Sequence, residues 1–119
     1  MQQDEYRQRI HDEVIVPMKE YKQECGRDCE YSVFDILACR RALTGFLKRL
    51  NRLKDKSDEC ILSEVKRVVL QLNRLNARTE YSLIETDARE SIWQIIQDLA
   101  VESGFSEPDG DVTEEWREW

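Results

Sequence analysis

Only one histidine, two prolines and four glycines occur in this chain of 119 residues. So little glycine and proline argues against the many tight turns of a β-sandwich or barrel. No apolar run approaches the roughly 20 residues that a membrane-crossing helix needs. The N-terminal Met1-Gln2-Gln3-Asp4-Glu5 has neither the basic start nor the apolar stretch of a secretory signal, so a soluble cytoplasmic protein is expected. There is no G-x-G-x-x-G and no Walker-type lysine loop to cradle nucleotide phosphates. The sole histidine, His11, lies on a polar flank between Ile10 and Asp12, with no Ser or Cys signature for nucleophilic catalysis. A solvated side chain is the simpler expectation for it. Glu-x-x-His pairs of the kind that hold two metals in helical bundles are missing. Asp109-Gly110-Asp111 lacks the alternating oxygen ligands and closing glutamate of a calcium loop. Glu85, Asp87 and Glu90 read as helix-start carboxylates rather than as a metal cluster. No metal, no cofactor and no enzymatic activity are expected.

What the chain does have is helical periodicity. Ile36, Cys39, Leu43, Phe46, Leu50 and Leu53 alternate at spacings of three and four, as do Ile61, Val65, Val68, Leu72 and Leu75. Each set falls on one stripe of a helix that must be covered by a partner. The polar Lys54-Asp55-Lys56-Ser57-Asp58 between them is long enough to reverse the chain. Leu62 and Val69 widen the second stripe beyond a two-stranded seam, which favours a bundle.

Ser32 and Asp35 have the spacing of a capping box and start the helix that runs to about Leu53. Gly45 lies inside it, where close approach by another helix would explain a glycine. Before the hairpin, Tyr6, Ile10, Val14, Met18 and Tyr21 form a stripe that keeps its phase through Pro17, so a kinked helix is predicted, ending at Gly26. After it, Thr86 reads as an N-cap, with Ala88, Ile92, Ile95, Ile96 and Leu99 as the buried face and Gly104 as the stop. Leu83 and Ile84 should pack over its entrance. The prediction is an all-α, antiparallel four-helix bundle with its central hairpin at 32–78 and a short C-terminal helix. Residues 1–105 form the bundle, and 106–119 an acidic tail packed on it.

Four cysteines suit a reducing compartment. Cys39 and Cys60 sit in or beside apolar stripes as small hydrophobes. Cys25 and Cys29 flank a Gly-Arg-Asp turn close enough to oxidise, but reduced thiols are expected in a cytosol.

Charge is unevenly spread. Residues 1–39 carry nine acids and five bases, 40–78 eleven bases and four acids, and 79–119 twelve acids and two bases. Internal complementarity explains part of this division. The rest suggests a surface for a partner, because a concentrated field speeds encounter with the opposite charge. In the tail, Trp116 and Trp119 would share a face and fold back to seal one end of the bundle. Around them Asp109, Asp111, Glu114, Glu115 and Glu118 are the candidate contacts for a basic protein partner, with either tryptophan as an anchor. The alternative is a phosphate backbone held by Arg40, Arg41, Lys48, Arg49 and Arg52 in the basic band 40–78. A monomer or a homodimer is compatible with the wide stripes.

The strings Leu83-Ile84-Glu85-Thr86-Asp87-Ala88-Arg89-Glu90 and Asp111-Val112-Thr113-Glu114-Glu115-Trp116-Arg117-Glu118-Trp119 resemble a family of small uncharacterised bacterial helical proteins with the same tryptophan-arginine ending. In size and acidity the chain is similar to immunity proteins, which cover the active site of a toxin. The resemblance implies a non-enzymatic binding protein and supplies no site residues.

Overall fold

Apolar stripes at helical spacing close into four antiparallel rods. The computed structural model describes residues 3–26, 29–106 and 110–119, so Asp109 and the middle of the Gly-Arg-Asp turn lie outside the described residues. The elements are α1 (Gln3–Ile10), a π-helical segment (His11–Ile15), α2 (Val16–Cys25), α3 (Val33–Arg52), α4 (Asp58–Arg78) and α5 (Thr86–Glu102). Backbone angles at Ile10 and Ile15 are right-handed helical, so the first three pieces are one continuous N-terminal rod. That rod lies against α3 and α5, and α4 lies against the same two helices.

Polar links between the rods fix their directions. Arg49 meets Glu64 and Arg78 meets Asp35 between α3 and α4, while Tyr6 meets Glu102 and Arg9 meets Asp98 between the N-terminal rod and α5. In each pair of helices, early residues of one face late residues of the other. The all-α bundle and its central hairpin therefore stand as expected. One apolar cluster runs through it, with Ile10, Ile36, Leu43, Phe46, Leu50, Ile61, Leu72 and Ile96 fully buried. No helix among the described residues is long and apolar enough to cross a membrane.

The N-terminal rod departs from the expected simple kink. Pro17 has no amide hydrogen to offer the carbonyl of Glu13, and its ring crowds that turn. The Val16 N–H donates instead to the His11 carbonyl, five residues back, and the widened turn absorbs an extra residue. As a result Val14 and the adjacent Ile15 are both fully buried, where the stripe alone predicted only Val14. Tyr21, expected in that stripe, is carried outward to 45% exposure and stacks on Tyr31.

At the head of α3, the Ser32 N–H donates to Asp35 Oδ2 at 2.8 Å and completes the capping box. Arg78 Nη2 donates to the other carboxylate oxygen at 3.0 Å. Burial alone would raise the Asp35 pKa, but the hydrogen bonds from Ser32 and Arg78 outweigh it and hold the carboxyl below the usual value of 3.8. A lowered folded pKa means that the contribution is complete above the unfolded value and is lost as pH falls through the folded one. Asp35→Ala should therefore cost about 1 kcal/mol near neutrality, and that difference should vanish in strong acid. Urea midpoints of the two proteins at both conditions check it.

Further differences concern single positions. Gly45 makes room for its own helix rather than for a neighbour: a Cβ there would sit 3.1 Å from the Arg49 guanidinium on its way to Glu64. The N-cap of α5 is Glu85, not Thr86, and the Glu85 side chain makes no capping hydrogen bond. Cys25 and Cys29 are joined as a disulfide with a Cα–Cα separation of 5.4 Å, which corrects the expectation of reduced thiols. Gly26, at φ +64°, ends α2. Cys39 is buried as expected, and burial pushes its thiol up to about 12.

The connection between α4 and α5 has a definite form. Asn76 and Thr79, both buried, tie it down. The Ile84 N–H donates to Asn76 Oδ1 at 3.0 Å and the Leu83 N–H to Thr79 Oγ1 at 3.3 Å. Leu83 and Ile84 are buried over the entrance to α5, as expected.

Candidate functional site

The acidic tail is built onto the bundle by polar side chains of two helices. Past α5, the Ser106 N–H donates to Asp58 Oδ1 at 2.9 Å, which steers the chain across the start of α4. When it resumes at Gly110, the Val112 N–H donates to Gln97 Oε1 of α5 at 3.1 Å. Asn73 of α4 then makes two bonds: its Nδ2 donates to the Trp116 carbonyl at 2.8 Å, and its Oδ1 accepts from the Glu118 N–H at 3.0 Å. Leu62 lines one open hollow with Val112 and Trp116 of the tail, and Asn73, eleven residues further along α4, bonds the tail directly. At 1.5 Å per residue that is a track of about 16 Å. The tail thus lies along the flank of α4 and does not seal an end of the bundle.

These bonds also explain why no C-terminal helix forms. Asp111 Oδ1 accepts from the Thr113 N–H at 2.8 Å and from its hydroxyl at 2.6 Å. Local bonding of this kind offers the backbone an alternative to helix. Asn73 then takes a carbonyl and an amide that a further turn would have used. Consecutive turns over 112–116 result, in place of the expected helix.

The candidate residues consequently separate into two groups. Asp111 is committed inside the tail: Arg117 Nη1 lies 3.1 Å from its Oδ2, and the same guanidinium sits 5.3 Å from the centre of the Trp119 ring. Trp116 and Trp119 are half-buried against the core. Glu114, Glu115 and Glu118 are exposed and have no ion-pair partner among the described residues. The structure therefore makes a fixed platform, with three free carboxylates beside two anchored indoles.

The basic band is divided in a similar way. Arg40 Nη2 lies 2.8 Å from His11 Nδ1, and since arginine only donates, that imidazole nitrogen accepts. His11 is thus half-buried and bonded, not solvated as expected. Arg49 Nε donates to Glu64 at 2.6 Å. Arg41, Lys48 and Arg52 stay exposed. Lys48 and Arg52 join Gln3, Arg7 and Asn51 around an open hollow of about 230 Å³.

Sequence reasoning did not find Asn73, Gln97 or Arg7. Asn73 adjoins Leu72 in the apolar stripe of α4, and a polar residue buried there was the available signal. Arg7 is separated from Lys48 by most of two helices, so only the fold unites them. Among the described residues, no group of three or more His, Cys, Asp or Glu side chains converges as metal ligands. No protein family, curated protein or solved structure matches this chain.

Proposed function

We propose that the chain is a non-enzymatic binding protein that grips a basic protein partner with its C-terminal platform. The observation that carries this reading is the pairing of a docked tail with unpaired Glu114, Glu115 and Glu118. Pre-ordering the backbone removes much of the entropic cost of binding. Carboxylates around half-buried tryptophans provide the polar rim and aromatic anchors common at interfaces. An inhibitor or immunity protein that covers a toxin fits this description, and the chain is similar to such proteins in size and acidity. A cytoplasmic setting and a monomeric or homodimeric state belong to the same proposal.

Reversal of the free charges tests it. Glu114→Lys, Glu115→Lys and Glu118→Lys together should weaken capture of the partner at least tenfold, by raising the rate penalty for encounter between like charges. Circular dichroism should be unchanged, because none of the three side chains holds the tail. Undiminished capture by the folded triple variant would exclude the platform.

A second reading rests on the hollow formed by Arg7, Lys48 and Arg52, whose lining contains no carboxylate. It suits a phosphate backbone better than the dispersed band of Arg40, Arg41 and Arg49. A gel-shift titration with duplex DNA should then lose affinity steeply as salt rises, and Arg7→Glu with Arg52→Glu should bind more weakly with a shallower salt dependence, because fewer phosphates are neutralised. No shift at low salt ends this alternative.

A further inference from the structure

At the end of the bundle away from the tail's start, a groove opens between α2, the α4–α5 connection and the first turn of α5. Its floor is Met18 and Leu83, 3% and 2% exposed, and its walls include Tyr21, Tyr31 and Glu85, with Asp87 beside them. The cavity measures about 200 Å³. That is below the ~300–1,000 Å³ of sites for drug-sized ligands, and suits one long side chain instead.

The groove is rigid on both sides. Tyr21 and Tyr31 stack with centroids 6.4 Å apart, and the Tyr31 hydroxyl donates to the Met18 carbonyl at 3.3 Å. The opposite wall, Ser82 to Leu83, belongs to the connection tied down by Asn76 and Thr79. Glu80 and Tyr81, just before it, hold φ of 55° and 60°, a left-handed conformation that costs non-glycine residues roughly 1–2 kcal/mol each. These residues close the end of α4, with the Tyr81 N–H donating to the Asn76 carbonyl at 2.8 Å. Apolar side chains are also left in water at this end: Phe34 is 80% and Tyr81 64% exposed.

Charge selects the occupant. Glu85 makes no capping bond, and neither it nor Asp87 has an ion-pair partner among the described residues. Their two negative charges outweigh the partial positive charge of the α5 N-terminus. Lys22 donates to the Tyr31 carbonyl at 3.1 Å and lies 6.0 Å from the Tyr31 ring centre, so one ring of the stack already receives a cation, while Tyr21 carries none among the described residues.

We infer that this groove receives an arginine or lysine side chain of a partner protein, with its aliphatic stem on Met18, Leu83 and Tyr21 and its charged head between Glu85 and Asp87. The inference takes the basic character of the partner from the preceding reading, but the groove and the tail platform are separate surfaces.

The test is an NMR titration of the uniformly labelled chain with a blocked hexa-arginine peptide, against its uncharged hexa-citrulline counterpart. Hexa-arginine should produce saturable amide shifts at Tyr21, Tyr31, Ser82 and Glu85–Ala88, and citrulline should not. Glu85→Gln with Asp87→Asn, both exposed and so harmless to folding, should weaken the groove response at least fivefold. Tyr21→Ala should weaken it too, which separates a formed site from plain charge attraction. Absence of groove shifts, or groove shifts equal in all variants, overturns the inference. Shifts at Glu114, Glu115 and Glu118 report on the tail platform, so either surface can fail while the other responds.

Discussion

Asn73→Ala should release the tail and lower the free energy of unfolding by about 2–3 kcal/mol. The side chain is buried and bonds two backbone groups of the tail, Trp116 C=O and Glu118 N–H. Each bond contributes about 1 kcal/mol net, and a buried group left unpaired costs about 1–3 kcal/mol more. The detached strand can recover some of this by exposing those groups to water, which sets the upper end. Loss of docking would also uncover Trp116 and Trp119, so tryptophan emission should shift to the red before any loss of helix by circular dichroism. If the tail packs by apolar contact alone, the emission of the variant will match that of the parent.

Phe46→Ala should cost still more, about 3–5 kcal/mol, the range for a large aromatic removed from a packed core. Phe46 is wholly buried on α3 in the same cluster as Leu43, Leu50 and Ile61. A domain of this size is stable by roughly 5–15 kcal/mol, so the variant would keep its helices only marginally. Denaturant midpoints with unchanged slopes would show that the loss is one of packing and not of compactness. A cost under 1 kcal/mol would mean that the stripes of α3 and α4 do not form a shared core.

The bundle was legible because burial and local chemistry agree over most of its length. Ser32 with Asp35, and Ser57 accepting from the Cys60 N–H at 3.3 Å, mark helix starts that the apolar stripes require independently. The N-terminal rod was less so. Its stripe keeps phase across Pro17 in sequence, yet the added π-turn residue turns Ile15 inward and Tyr21 outward. Side-chain periodicity carries no trace of a carbonyl that finds a donor five residues away.

The site was legible only in composition. Acid density in the last third located the charged surface, but not which carboxylates are free. Asp111 is taken by Arg117 and Thr113, and this depends on turns whose backbone partner, Asn73, is distant in sequence. Likewise, the basic band merges Lys48 and Arg52, which remain open, with Arg40 and Arg49, which are consumed by His11 and Glu64.

The most direct measurement of the central proposal is hydrogen–deuterium exchange on the chain alone and in complex with the basic protein partner that the proposal requires. Alone, the amides of Val112 and Glu118 should exchange slowly, since both are bonded to bundle side chains. In the complex, protection should increase across Glu114 to Glu118. Rapid exchange of the tail in the free chain, or a footprint confined to Lys48 and Arg52, would contradict the account.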